Sequence, residues 1–135
     1  MGQEDNKPDF SELGVTPFGG VDQKDRKEIH EKTVKKLVYQ HTDIGNLPVT
    51  ATTGKQAIID TVCWTLAISD SYDLSTRRVE AQQRVADEQE TSFQAVQSAV
   101  RRMYDGKYGR KSAQDLFDED ITDIEIEYQM RVNNR

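Results

Sequence analysis

Hydrophobic residues recur at helical spacing along most of the chain, so the pattern predicts a mainly α fold. A first helix over residues 22–39, with Asp22 as its N-cap, carries a narrow apolar stripe of Ile29, Val34, Leu37 and Val38. Gly45 and Asn46 break the pattern. Residues 47–52 are then predicted to form a short extended segment, possible only at a sheet edge because Pro48 has no N–H to donate within a central strand.

A second helix, predicted over residues 55–69 and capped by Thr53, is apolar on nearly all sides. Ile58, Ile59, Val62, Cys63, Leu66 and Ala67 cover more than half of its circumference, and Trp64 and Ile68 extend the coverage. A helix of this kind lies at the centre of a fold or in a dimer interface. Cys63 is therefore predicted to be a small core residue and not a nucleophile.

Two further helices follow, and the second has the clearest amphipathic pattern in the chain. The first is predicted over residues 76–90 with Ser75 as its N-cap, and the second over 93–104 with Thr91 and Ser92 as capping residues. Its apolar side comprises Phe93, Val96, Ala99, Val100, Met103 and Tyr104. A short acidic helix is predicted from Ser112 to about Asp118.

The last segment changes period from helical to alternating. Apolar residues occupy every second position, at Ile124, Ile126, Tyr128, Met130 and Val132. Such alternation predicts a half-buried strand, which pairs either with 47–52 or with its own copy in a dimer. The predicted fold is therefore mainly α, with about five helices and a C-terminal β-strand. Its parts are an N-terminal arm (1–21), a helical domain (22–120) and a strand with a tail (121–135).

The N-terminal arm has two interpretations. Pro8, Pro17 and two adjacent glycines, with few large apolar residues, are typical of a flexible tail. The alternative is an arm that grips a partner through Phe10, Leu13 and Phe18.

Composition narrows the class of protein. The 135 residues suit one domain, and 18 Lys+Arg against 24 Asp+Glu give a net charge of −6. This negative net charge argues against a protein that coats nucleic acid through its overall charge, but it allows a cluster of basic residues on one face. One cysteine excludes an internal disulfide and a Cys/His zinc cluster. The sequence shows neither a signal peptide nor an apolar run long enough for a bilayer, so a cytoplasmic protein without membrane contact is expected.

Across the two predicted helices of residues 74–104, the small residue Ala86 is followed ten positions later by the β-branched residue Val96. In this spacing the segment resembles the helix-turn-helix and winged-helix DNA-binding families, in which a small residue lies where the two helices cross. Ala99 and Val100 supply the apolar residues one turn on. The chain departs from the family at the turn, where Glu90 replaces the usual glycine. The resemblance implies a DNA-binding unit over residues 75–104.

The polar face of the predicted recognition helix supports this interpretation. Gln and Arg make bidentate bonds to adenine and guanine in the major groove. The residues predicted to read bases are Gln94, Gln97, Ser98, Arg101 and Arg102, and those predicted to hold phosphates are Ser92, Lys107, Arg110 and Lys111. Residues 93–111 hold five basic residues against Asp105 alone, a local charge of +4. The alternative is an ordinary solvated helix whose terminal arginines meet the helix dipole.

The sequence thus predicts a non-enzymatic transcriptional regulator that binds double-stranded DNA as a homodimer. No cofactor, metal ion or small-molecule substrate is predicted. His30 and His41 lie too far apart on one helix to share a metal, and Asp118–Asp120 lacks the glycine of a calcium loop. The alternative function is a structural or assembly protein, such as a viral connector or adaptor subunit.

Overall fold

The computed structural model describes residues 23–68, 71–107 and 109–133. In this part the chain forms five α-helices and one 3₁₀ turn, which confirms the predicted mainly helical fold. The helices are α1 (Gln23–His41), α2 (Thr52–Ala67), α3 (Leu74–Glu88), α4 (Phe93–Met103) and α5 (Ala113–Asn133), and the 3₁₀ turn is Ile44–Asn46. The predicted arm (1–21) and the Asp22 cap lie outside the described residues.

Helix α2 lies at the centre of the fold. Every residue from Ala57 to Ile68 is buried, including two threonines. The hydroxyls of Thr61 and Thr65 each donate a hydrogen bond of 2.7 Å to the carbonyl one turn earlier, so they need no external partner. Cys63 is 0% exposed, which confirms its prediction as a core residue.

Two hydrophobic clusters lie on opposite sides of α2. The larger cluster joins α2 to α1, α4 and α5 and includes Leu37, Val62, Met103 and Phe117. The smaller cluster consists of Ala57, Trp64, Ala67, Ala81, Val85, Ala86 and Val96, and joins α2 to α3 and α4. Because α2 contributes to both, its all-round apolar surface is explained by burial within one chain.

The predicted C-terminal β-strand is wrong, because residues 113–133 form one continuous helix. Its buried face consists of Ala113, Phe117, Ile121 and Ile124, at helical spacings of four, four and three. Alternate residues of a helix lie about 200° apart, so Ile124 is 0% exposed while Ile126 is 55% exposed. The alternating apolar residues of 124–132 therefore lie on two opposite sides of α5.

The extended segment predicted at 47–52 is also absent. Residues 47–51 form turns, and α2 begins at Thr52. Among the described residues no β-strand occurs. Likewise, no helix in the described ranges has the length and apolar character needed to cross a membrane.

The caps of α3 and α4 define where these two helices begin. The Ser92 hydroxyl accepts a hydrogen bond of 3.0 Å from the Ala95 amide, which confirms Ser92 as the N-cap of α4. At α3 the cap is Asp73 and not Ser75, because the Asp73 carboxylate accepts a bond of 3.0 Å from the Thr76 amide. Hydrogen bonding to Thr76 also holds the pKa of Asp73 below its usual value.

Candidate nucleic-acid interface

The turn between α3 and α4 has the hydrogen bonds of a Schellman motif. The Thr91 amide donates to the Ala86 carbonyl (2.9 Å) and the Glu90 amide to the Asp87 carbonyl (3.3 Å). Glu90 has φ = +53°, in the left-handed region that favours glycine. The departure from the helix-turn-helix pattern therefore affects the side chain at this position, while the backbone adopts the conformation that glycine favours.

Helix α4 packs its apolar side against the core, as its pattern predicts. Val96, Ala99, Val100 and Met103 are buried, and Ala86 on α3 is buried as well. Ala86 on α3 and Val96 on α4 belong to the same hydrophobic cluster. Because the side chain of Ala86 is small, it allows α4 to pack closely against α3. The opposite side of α4 is thereby turned towards solvent.

The predicted base-reading residues differ in their exposure. Gln94, Arg101 and Arg102 are exposed, whereas Gln97 and Ser98 are half-buried. Arg101 Nη2 donates a hydrogen bond of 3.0 Å to Ser98 Oγ, one turn earlier. Of the five residues, three are therefore exposed on the surface of α4.

The residues predicted to hold phosphates lie at both ends of α4. Ser92 is at the N-terminal end, and the loop with Lys107, Arg110 and Lys111 follows the C-terminal end, about 16 Å away by the rise of an 11-residue helix. Lys107 Nζ lies 3.0 Å from Asp43 Oδ2, and Lys111 pairs with Glu119. Arg110 is exposed. The described residues of this loop form turns and no strand, so they contain no β-hairpin wing.

A polar network that the sequence did not predict holds α3, α4 and α5 together. Arg78 is 7% exposed and donates to both carboxylate oxygens of Asp118, at 2.6 and 3.3 Å. Its other nitrogen, Nη1, donates to the side-chain oxygens of Gln82 (3.1 Å) and Gln114 (3.3 Å). Gln114 in turn donates to the carbonyl of Gln97 on α4 (3.3 Å). The network thus fixes the position of α4 relative to both neighbouring helices.

A second buried arginine, Arg77, joins α3 to the C-terminal half of α5. Arg77 Nη1 donates to Glu125 Oε2 at 3.0 Å and to the Thr65 carbonyl at 3.3 Å. Neither arginine can be recognised as buried from local sequence, because Arg77 and Arg78 fall in a stretch of mixed polarity. Their carboxylate partners, Glu125 and Asp118, lie 48 and 40 residues later in the chain.

Carboxylates lie beneath the C-terminal end of α4. The hydroxyl of Tyr104, the residue that ends the helix, bonds to Asp120 on α5. Burial raises the pKa of the Tyr104 phenol well above its usual value. Burial also raises the pKa of Asp120, and the neighbouring charges of Asp43 and Asp123 add to this effect. The acidic groups of α5 therefore flank one end of the basic loop.

The described residues hold a second surface that sequence reasoning missed, formed by α1 and the C-terminal half of α5. Its side chains are Lys32, Lys35, Lys36 and Tyr39 on α1 and Asp123, Ile126, Glu127, Met130 and Arg131 on α5. The two helices are joined by His41 Nε2 and Glu127 Oε1 at 2.7 Å. The hydrogen bond with His41, followed by that from Arg131, holds the pKa of Glu127 below its usual value.

Within the part of the chain that the structure describes, no group of three or more His, Cys, Asp or Glu side chains is arranged to hold a metal ion. Comparison of the chain with protein-family models, curated proteins and solved structures finds no match.

Proposed function

We propose that the chain is a DNA-binding protein, acting as a transcriptional regulator, and that α4 enters the major groove of double-stranded DNA. The observation that carries the proposal is the outward polar face of α4, presented after a short left-handed turn at Glu90. A second copy of the chain completes the proposed regulator as a homodimer.

Helix α4 has the dimensions and the chemistry that groove reading requires. The major groove is about 12 Å wide and admits one α-helix. Gln94 near the start of α4 is suited to adenine, and Arg101 in the last turn is suited to guanine. At the N-terminal end of α4, the side chains of Ser92, Gln94 and Ala95 are all exposed. This end of the helix is therefore available to contact a duplex.

The ion pairs of the basic loop do not prevent phosphate binding. The Lys107–Asp43 and Lys111–Glu119 pairs are substantially exposed. Exposed pairs contribute only about 0–1 kcal/mol, so each lysine can exchange its carboxylate for a phosphate at small cost. Because the whole chain carries −6, we expect binding to be confined to this face and to weaken steeply with salt.

The test measures the affinity of the full chain for random-sequence duplex DNA as salt is raised from about 50 to 200 mM, followed by selection of a target sequence. On that target, Arg101→Ala should reduce affinity by about 5- to 150-fold, the range of one bidentate contact to guanine. Lys55→Ala removes the same charge from the first turn of α2, outside α4, the basic loop and the surface formed by α1 and α5, and is the matched control. Absence of binding at low salt, or equal effects of the two substitutions, would refute the proposal.

A second candidate function, a structural or assembly protein such as a viral connector or adaptor subunit, is favoured by a different observation. Ile126 and Met130 are more than half exposed on α5, which suits contact with other subunits. The number of subunits distinguishes the candidates: a dimer agrees with a DNA-binding regulator, and a ring of many copies agrees with an assembly protein.

A further inference from the structure

On the outer surface of α5 and the adjoining face of α1, the exposed side chains change from acidic to apolar to basic towards the C-terminal end of α5. Asp123 is exposed at one end, and Ile126 and Met130, 55% and 57% exposed, occupy the middle. Arg131 follows, pairs with Glu127 at 2.8 Å, and lies beside the exposed lysines Lys32, Lys35 and Lys36 of α1. We call this succession of acidic, apolar and basic side chains the α1–α5 surface.

Among the residues that the structure describes, none covers the apolar middle of the α1–α5 surface. Ile126 and Met130 are one turn apart on the side of α5 opposite its buried face. Tyr39 on α1 is 49% exposed and borders the basic end, so it enlarges the apolar area. Methionine is flexible and packs well against irregular partners, and lysine stems add further apolar contact around the rim.

We propose that the α1–α5 surface binds a second copy of this chain, with the two α5 helices antiparallel about a two-fold axis near Ile126 and Met130. In a two-fold interface the same patch meets itself, so it must be complementary to its own reversed copy. The antiparallel arrangement places the Asp123 end of each copy opposite the basic end of the other. A parallel arrangement would bring like charges together.

The distribution of charge also favours a second copy over other occupants. A uniformly acidic peptide or an anionic bilayer would suit the lysines of α1 but would be repelled by Asp123. Asp123 and Met130 are separated by about 10 Å along the helix, so one ligand that covered the apolar middle would meet both signs of charge. A partner with the same order of charges, reversed, satisfies both ends.

The α1–α5 surface is thus the dimer interface of the proposed function, on which this proposal rests, and dimerisation is measured without DNA. Failure of DNA binding and failure of dimerisation can therefore be distinguished. The two surfaces also differ in their residues, because α4 contributes nothing to the α1–α5 surface.

The experiment measures the molar mass of the full chain by sedimentation velocity across the micromolar range. The unchanged protein should dimerise, and Met130→Asp should raise the dissociation constant at least about tenfold, as expected for an apolar residue at the centre of an interface. Val49→Asp is the matched control, since Val49 is 87% exposed in the loop between α1 and α2. A monomer at all concentrations, or equal effects of the two substitutions, would overturn the proposal.

Charge reversal tests the antiparallel orientation. Asp123→Lys should weaken the dimer, and so should the double variant Lys35→Glu/Lys36→Glu, because each places like charges across the interface. The triple variant that combines these changes should recover most of the lost affinity. If the triple variant is weaker than both parents, the antiparallel pairing is wrong.

Discussion

The Tyr104 hydroxyl donates a hydrogen bond of 2.5 Å to Asp120 Oδ2, and so joins the residue that ends α4 to the middle of α5. Tyr104 is buried, and the carboxylate that it contacts is half-buried. Removal from water disfavours the charged form of Asp120 more than the hydrogen bond favours it, so the pKa of Asp120 is raised. The folded chain therefore holds this proton more tightly than the unfolded chain.

The raised pKa of Asp120 predicts a specific dependence of stability on pH. Between the unfolded value of 3.8 and the higher folded value, the folded state binds more protons, so stability falls as pH rises through this window. Asp120→Asn keeps an oxygen acceptor for Tyr104 but cannot ionise. The free energy of unfolding of Asp120→Asn, relative to the unchanged protein, should be higher at pH 7 than at pH 3.5. Urea denaturation at both pH values measures this difference.

Asp73→Asn provides a control of opposite sign. The pKa of Asp73 is lowered by its bond with Thr76, so its stabilising contribution is present above 3.8 and is lost as pH falls through the folded value. Relative to the unchanged protein, Asp73→Asn should be less stable at pH 7 than at low pH. If the stability of the two variants relative to the unchanged protein shifts in the same direction between low pH and pH 7, the raised pKa of Asp120 is wrong.

Two neighbouring carboxylates of α5 should differ greatly in their contribution to stability. Asp118 pairs with the buried Arg78, whereas Glu119 pairs with the exposed Lys111. Asp118→Ala leaves the guanidinium of Arg78 buried without its main partner and should lower the free energy of unfolding by about 3–5 kcal/mol. Glu119→Ala should cost less than about 1 kcal/mol. Chemical denaturation of both variants provides the test, and a small loss for Asp118→Ala would contradict the buried network.

Two isoleucines distinguish the helical C-terminal segment from a strand. Ile124 is fully buried and Ile126 faces outwards, although in a strand they would share one face. Ile124→Ala should lower the free energy of unfolding by about 2–5 kcal/mol, and Ile126→Ala should change it by less than about 0.5 kcal/mol. The measurement is made at a concentration where the chain is monomeric. Comparable losses for both substitutions would be inconsistent with α5.

Glycine at position 90 should stabilise the chain. Glu90 occupies the left-handed region, which costs about 1–2 kcal/mol for a residue with a Cβ, while glycine loses about 0.5–1 kcal/mol more on ordering. Glu90→Gly should therefore raise the free energy of unfolding by about 0.5–1 kcal/mol. Gln83→Gly, on the exposed side of α3, should lower it by a similar amount. Thermal denaturation of both variants gives the comparison, and destabilisation by Glu90→Gly would contradict the turn geometry.

The sequence predicted those elements whose pattern is local. Helix α4 shows one apolar side over three turns, and Ser92 precedes it as a capping residue, so both its bounds and its cap were predictable. The central position of α2 followed from its all-round apolar surface. The exposed face of α4 was predictable for the same reason, since the buried face defines it.

Other features depend on residues far apart in the chain. The predicted acidic helix ends at Asp118, so Phe117 falls in a different predicted element from Ile121 and Ile124, although all three share one face of α5. The Arg78–Asp118 pair and the α1–α5 surface both join elements distant in sequence. The half-burial of Gln97 and Ser98 likewise results from packing against neighbouring helices, which a helical projection of α4 alone does not include.

Because Cys63 is buried in the central helix, the reactivity of its thiol reports the opening of the core. Cys63 is the single cysteine of the sequence, and its side chain lies in the central helix with no solvent exposure. A thiol reagent can label it only when α2 separates from the helices around it. The labelling rate therefore measures how often the core opens under native conditions, without any engineered probe, and a ligand that stabilises the folded chain should slow it.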